Sequence, residues 1–308
     1  MGLSKHTERF VHMDATGKTD VSAAGIEREI RDFCARSPEN SLGPDSVEKA
    51  WEEPLVGIAR GDDPYFARFK RDIGPFYWTP EEAFALAFAG REVPSEELSV
   101  VSYVLPQTPA TRREQRQEAD YPSRRWSLSR EYGEAFNQRL RRHLVEVLAA
   151  AGVDAVAPAA SPLFDYRRSE RLGLASNWSE RHTAFVAGLG TFGLSDGLIT
   201  RRGKAMRCGS VVLHRSLPET PRPYRSHQEW CLYFARGTCG ACIGRCPTRA
   251  ISFEGHDKAR CHAYIRETAA PFAREHFGVE ATPCGLCQVA IPCEACNPTA
   301  VGDDREQG

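Results

Sequence analysis

The chain has 308 residues, 41% of them hydrophobic, with 40 Lys and Arg against 41 Asp and Glu. That length accommodates one large domain, or a large and a small one. The balanced charge lacks the basic footprint of nucleic-acid binders, so the expected partner is a small molecule or another protein, with no nucleic acid.

The first twenty residues, MGLSKHTERFVHMDATGKTD, hold no apolar stretch of the signal-peptide kind and no twin arginine. No run approaches the ~20 apolar residues of a membrane span. The expected setting is cytoplasmic, without a membrane partner, where disulfides are rare. Residues 21–36 place Ile26, Ile30 and Phe33 near helical spacing and predict an amphipathic helix. Residues 37–54, rich in Pro, Gly, Asn and Ser, predict a loop. Leu55–Ala59 predicts a strand closed by Gly-Asp-Asp-Pro. Thr79, Pro80, Glu81 and Glu82 mark a helix start, with a cap, a first-turn proline and two acids at the positive end. Leu98–Pro106 is β-branched and predicts a buried strand. The polar segment 107–127 predicts a mobile loop or a cover over a site. Ser129–Gly152 predicts a long helix stopped by its glycine. A strand at 153–160, a helix at 179–187 that breaks into glycines, and a strand at 208–214 complete an α/β layered domain through about residue 225.

Only Cys34 and Cys208 precede residue 230, and the other nine cysteines lie between Cys231 and Cys296. The spacings are Cys231-x7-Cys239-x2-Cys242-x3-Cys246-Pro, then Cys261, then Cys284-x2-Cys287-x5-Cys293-x2-Cys296. C-x2-C brings two thiolates onto one tight turn, and a cysteine before proline in two-cluster ferredoxins serves the other cluster. Eight ligands make two [4Fe–4S] clusters. Zinc on two C-x2-C pairs is the alternative, against which stand Cys246-Pro247, the x2/x3 spacing, the surplus thiols and the ferredoxin-like PTRAIS that follows. The crossed pattern assigns Cys231, Cys239, Cys242 and Cys293 to one cluster, and Cys246, Cys261, Cys284 and Cys287 to the other. Arg236 occupies the usual first-ligand position, so Cys231 must reach in from further back. Cys296 is the rival of Cys293 for the last position.

Three stretches carry a resemblance: AGLGTFGLSDGLIT (Ala187–Thr200) with RCGSVVL after it; CGACIGRCPTRAI; and RCHAYIRET followed by CGLCQ. In order and spacing, over roughly two-thirds of the chain, they resemble the epoxyqueuosine reductase and reductive dehalogenase superfamily of cobalamin-dependent iron–sulfur reductases. The resemblance implies an α/β (α+β) fold: a nitroreductase-like layered domain over 99–225 that holds cobalamin base-off, and a C-terminal ferredoxin-like domain over 226–308 with two [4Fe–4S] clusters. Residues 1–98 match no motif and read as an N-terminal extension or part of the α/β domain. The family lacks the D-x-H-x-x-G corrinoid motif, as does this chain.

Gly188, Leu189, Gly190 and Gly193, with Cys208 and Gly209, are the candidate corrinoid contacts, since glycines let backbone approach a flat ligand. The plainer reading is a tight helix-to-strand turn, with Cys208 simply a buried strand residue. The G-x-G-x-x-G here follows a helix rather than a strand, so the dinucleotide fingerprint lacks its context. Tyr166 with Arg167, Glu180 and His182 are the candidate catalytic residues, Tyr166-Arg167 by likeness to the tyrosine and basic residue of dehalogenases. Against them stand an interfacial tyrosine, a helix-start glutamate and a structural histidine.

Departures from the family are specific. Ala159 stands where epoxyqueuosine reductases carry a proton-donating aspartate, and the expectation is a protein without their helical-repeat tRNA domain and without the twin-arginine signal of respiratory dehalogenases. The expected function is a cytoplasmic reductase in which two clusters feed a bound cobalamin for reduction of a small organic substrate, with ferredoxin or flavodoxin as donor. The alternatives are a reductase serving corrinoid metabolism, a cofactor-free electron-transfer protein, and a flavin in the same fold.

Overall fold

The computed structural model describes residues 19–89 and 91–300, so most of the N-terminal stretch read for targeting signals lies outside the described residues. In chain order come helix α1 (Ala23–Arg36), strand β1 (Leu55–Arg60), helices α2 (Pro64–Ile73) and α3 (Pro80–Ala87), strand β2 (Leu98–Pro106), helices α4 (Pro109–Arg116) and α5 (Arg124–Ala150), strands β3 (Ala155–Val156), β4 (Tyr166–Ser169) and β5 (Gly173–Ser176), helix α6 (Glu180–Val186), and strands β6 (Gly190–Phe192), β7 (Leu198–Thr200) and β8 (Met206–His214). The cysteine-rich remainder holds helices α7 (Leu232–Arg236) and α8 (Ala241–Gly244), strands β9 (Ile251–Ser252) and β10 (Gly255–His256), and helices α9 (Lys258–Tyr264) and α10 (Ala270–Phe277).

The main sheet has the order β1-β2-β8-β3 and every pairing is antiparallel. β2 and β8 form its centre, in a register that sets Leu98 opposite His214 and Pro106 opposite Met206. Alternation along the strands sends side chains to two cores. Val100 and Val104 of β2, with Cys208 and Val212 of β8, face a core shared with Phe66, Phe69, Phe84 and Phe185 of α2, α3 and α6. Val101, Tyr103 and Leu105, with Val211 and Leu213, face the opposite core, built with Ile26 and Ile30 of α1 and Phe136, Leu140 and Leu144 of α5. Helices therefore cover both faces of a mixed α/β unit.

The caps explain the helix starts. The Ser22 hydroxyl accepts from the Gly25 amide, and Thr79 with Glu82 forms a reciprocal capping box. α5 begins earlier than its apolar pattern indicates, because Ser123 caps it by accepting from the Trp126 amide. The expectation of a mobile loop or cover over 107–127 is corrected: α4 lies there. Its Thr111 and Gln115 are fully buried, and Gln115 donates to the Cys284 carbonyl at 2.8 Å and accepts from the Ser123 amide at 2.7 Å. The segment is a platform between the sheet layer and the cysteines.

Candidate functional site

Cys231, Cys239 and Cys242, close in sequence, and Cys293, far from them, face one hollow, with Leu194, Ile199 and Lys204 on its walls. Each arrives on a different local device. Cys231 is the residue before α7, Cys239 follows its left-handed Gly237 stop, Cys242 lies in the short α8, and Cys293 comes from the far end of the chain. Burial pushes the Cys293 thiol up to about 12, opposed by Lys204 and reinforced by Cys231, Cys242 and Cys239. Cys296 lies off this hollow, with its sulfur 3.5 Å from the Pro292 carbonyl.

The second group is Cys246, Cys261, Cys284 and Cys287. Burial pushes Cys284 up to about 12 and Cys261 to about 11, and in both cases Cys287 and Cys246 raise it further. The Cys246 sulfur accepts from the Ala250 amide at 3.2 Å. Cys242 feels Cys287 electrostatically, so the two quartets adjoin. Among the described residues, no three or more His, Cys, Asp or Glu are arranged to hold a single metal ion. Thiols spaced around a hollow suit a polynuclear core, whose metal corners each take one sulfur. Four thiolates brought together repel one another, and a cationic core removes that penalty.

Beside the first hollow opens a cleft of about 1,410 Å³ lined by Glu134, Arg141, Ala159, Tyr166, Glu180, Lys204 and Cys208, among others. Gln288, next to the cysteine Cys287, closes it from the other region. Glu180 starts α6, capped by Ser179, and accepts from the Ser210 hydroxyl at 2.5 Å. Trp178 donates to Ser210 at 3.0 Å, and the Arg141 guanidinium stands 3.3 Å from Glu180. Burial raises the Glu180 carboxyl while Arg141 opposes the rise. Burial also opposes ionisation of Glu134, but Arg207, Arg141 and Arg130 outweigh it and hold the carboxyl down at about 2. One oxygen of Glu180 and the Nε of Arg141 are buried at this wall without a hydrogen bond.

The structure separates the residues singled out from sequence. Tyr166, Glu180 and Cys208 line the cleft together. Arg167 lies outside it, paired with Asp165 at 3.5 Å on the exposed hairpin β4–β5. His182 opens onto a different cleft with Arg68, Arg181 and Lys258. Its Nδ1 is 2.7 Å from the Ser179 hydroxyl, and burial lowers the imidazole to about 3.

The glycines take another physical reason than ligand approach. A Cβ at Gly188 would meet the Pro221 carbonyl oxygen at 2.7 Å, and one at Gly190 the Ile199 carbonyl oxygen at 2.2 Å. Both positions are closed by protein backbone: Gly190 because β6 lies against β7, and Gly188 because the chain at Pro221 passes over it. Leu189 is buried in the core. Gly193 lines the cysteine hollow rather than the cleft, and a Cβ at Gly209 would strike the Tyr103 ring at 2.3 Å on the sheet's other face. The glycine that borders the cleft is Gly197.

Sequence reasoning missed Glu134, Arg141 and Lys204. A signal existed for the first two: they stand seven apart on the face of α5 that also carries Asn137, Leu140 and Leu144. Charges on an apolar helix face point to a paired interior site. Lys204 gave no comparable signal.

No family model matches the chain. A curated epoxyqueuosine reductase from Lactococcus garvieae (strain Lg2) is 29% identical over 175 residues, covering 55% of this chain and 45% of the relative. The chain thus spans about half the length of the curated relative that it matches. A catabolic reductive dehalogenase, NpRdhA, solved in complex with 3-bromo-4-hydroxybenzoic acid, superposes with a TM-score of 0.50 at 15% identity, over 90% of this chain and 37% of that one. An epoxyqueuosine reductase solved with an epoxyqueuosine-modified tRNA stem loop gives a TM-score of 0.46 at 15% identity, over 88% of this chain and 66% of that one. The resemblance read from the three sequence stretches therefore extends to a curated relative and to the fold: the chain is similar to the epoxyqueuosine reductase and reductive dehalogenase superfamily.

Proposed function

We propose that this chain is an oxidoreductase with two [4Fe–4S] clusters in a ferredoxin-like region and a corrinoid held against the layered, nitroreductase-like domain, reducing a small organic substrate. The observation that carries the reading is the convergence of Cys231, Cys239, Cys242 and Cys293 on one hollow beside a large polar cleft. The second cluster would use Cys246, Cys261, Cys284 and Cys287. The adjoining quartets suit single-electron passage toward the cleft.

A corrinoid, a ligand rimmed by amides, is the group proposed for the cleft. Gln138, Gln288, Glu134 and Arg207 on its walls offer hydrogen-bond partners to those amides. When bound, a corrinoid supplies a cobalt centre that passes single electrons to an organic substrate. The protein's part is position and proton. Tyr166, 63% exposed at the cleft wall, is the proton donor in this reading. Glu180 is fixed by Ser210 and Arg141 and orients polar groups of the ligand. His182 and Arg167 have no direct part.

Anaerobic reconstitution tests this. About eight iron and eight sulfide per chain are expected from two cubanes, with corrinoid uptake visible in the absorption spectrum. Cys242→Ser should lose one cluster and Cys34→Ser neither. Stoichiometric zinc without acid-labile sulfide sinks the cluster reading; flavin uptake in place of corrinoid sinks the cleft reading. Reduction of epoxyqueuosine in tRNA is the second reading, favoured by the curated relative's name. Ala159 in place of the expected aspartate and the balanced charge favour the small substrate. Conversion of modified tRNA by the reduced protein decides between them.

A further inference from the structure

A buried ammonium stands between the hollow and the cleft. Lys204 is 2% exposed and lines both cavities. Its Nζ donates to the Ser195 hydroxyl, a neutral partner. The neighbouring carboxylates are engaged elsewhere: Glu294 with Arg112 and Arg116, Glu180 with Arg141, Asp196 with His256 and Lys258. An ammonium removed from water without a counter-charge is costly. The groups on the hollow's wall that can carry negative charge are Cys231, Cys239, Cys242 and Cys293.

The backbone enforces the placement. The Lys204 amide donates to the carbonyls of Cys293 at 2.9 Å and Glu294 at 3.1 Å. The side chain then runs over Gly197, where a Cβ would stand 2.4 Å from the lysine Cε. The slot exists because residue 197 has no side chain.

We infer that Lys204 is the resident counter-ion of the first quartet and holds the cluster there at a higher reduction potential than it would have without that charge. The inference rests on the iron–sulfur reading above. Reduction adds negative charge to a cluster, and a fixed positive charge in a low-dielectric wall favours the reduced form.

The test is an EPR-monitored redox titration of the anaerobically reconstituted full chain, with iron and sulfide measured on each sample. Lys204→Met should shift the reduction equilibrium of one cluster by about tenfold or more, ~59 mV for a one-electron couple, to lower potential, while the other moves less. Lys204→Arg should stay near wild type. An unchanged potential in Lys204→Met at full iron content overturns the inference and leaves the cluster reading intact. Wild-type protein that takes up no sulfide overturns both. Should Lys204→Met hold no iron, Gly197→Ala decides, since it keeps the charge but pushes Cε aside. A lowered potential there supports the inference, and an unchanged one overturns it.

Discussion

Strand β2 buries all nine of its residues, whereas helices α7, α8 and α9 bury none. The sheet layer draws on two apolar cores with Trp51, Tyr77, Tyr103, Phe66 and Phe84 fully enclosed. The cysteine region contributes only scattered members, such as Ile251, Ala273 and Val279. Its strands are two residues long. A stretch with so little apolar burial cannot offset its own ordering entropy. The comparison teaches where stability comes from: solvent exclusion on one side and, on the iron–sulfur reading proposed above, thiolate–metal bonds on the other.

The largest effect that tests this contrast is removal of the metal. Chelation under reducing conditions should open the cysteine region to proteolysis between about residues 237 and 285, while the sheet layer keeps its far-UV signal and its resistance. Uniform cleavage along the chain, or none, would break the comparison. Next comes glycine replacement in each region. Gly190→Val drives a side chain into the Ile199 carbonyl and should cost about 4 kcal/mol or more, seen as loss of soluble protein. Gly237→Ala has nothing within 4 Å but a φ of +64°, so it should cost about 1 kcal/mol. Equal costs would mean that the two regions are packed alike.

A smaller effect concerns acid. His182 is neutral in the fold because burial lowers it to about 3, against an ordinary value of 6.5. Between these values the unfolded chain binds the extra proton, so stability is full above pH 6.5 and falls as the pH drops toward 3. The slope approaches about 1.4 kcal/mol per pH unit. His182→Phe, which suits the neighbouring Phe69 and Phe192 rings, should flatten that dependence in urea midpoints read on the sheet layer, and leave acid release of iron unaltered. An unchanged slope would assign the acid sensitivity elsewhere. The smallest effect is Cys34→Ser, deep in the α1–α5 core. It should cost about 1–3 kcal/mol for an unpaired hydroxyl, with no change in iron content.

Legibility in the sequence followed the same division. The cysteine quartets could be proposed from spacing because thiolate chemistry is carried by residue type. Strands β1, β2 and β8 were readable from their apolar runs, but their order was not, since β2 pairs with a strand about a hundred residues later. α4 was not read as a helix because Thr111 and Gln115 are polar; Thr111 is held by the local Thr108 cap, and only the tertiary bond to the Cys284 carbonyl shows why Gln115 is buried. The Gly188–Gly193 run showed that backbone approaches something closely; whether that something is ligand or β7 is not written in the glycines. Lys204 was invisible for a related reason: its meaning depends on Gly197, Cys293 and Glu294, which only the fold brings to one place.

The bond between Glu294 and α4 reaches further than its two partners. Glu294, 4% exposed, is gripped by Arg116 through oxygens at 2.6 and 2.8 Å, while its carbonyl receives the Lys204 amide. A Cβ at Gly203 would sit 2.2 Å from that same carbonyl oxygen. The cysteine region thus leaves the sheet layer after β8 and is buttoned back onto it at its other end, as a handle is fixed to a cup at two points. Cutting the chain near residue 225 would not release two finished modules. One half would keep Arg116 without the acid that it grips, and the other would keep all four facing thiols without the wall that faces them.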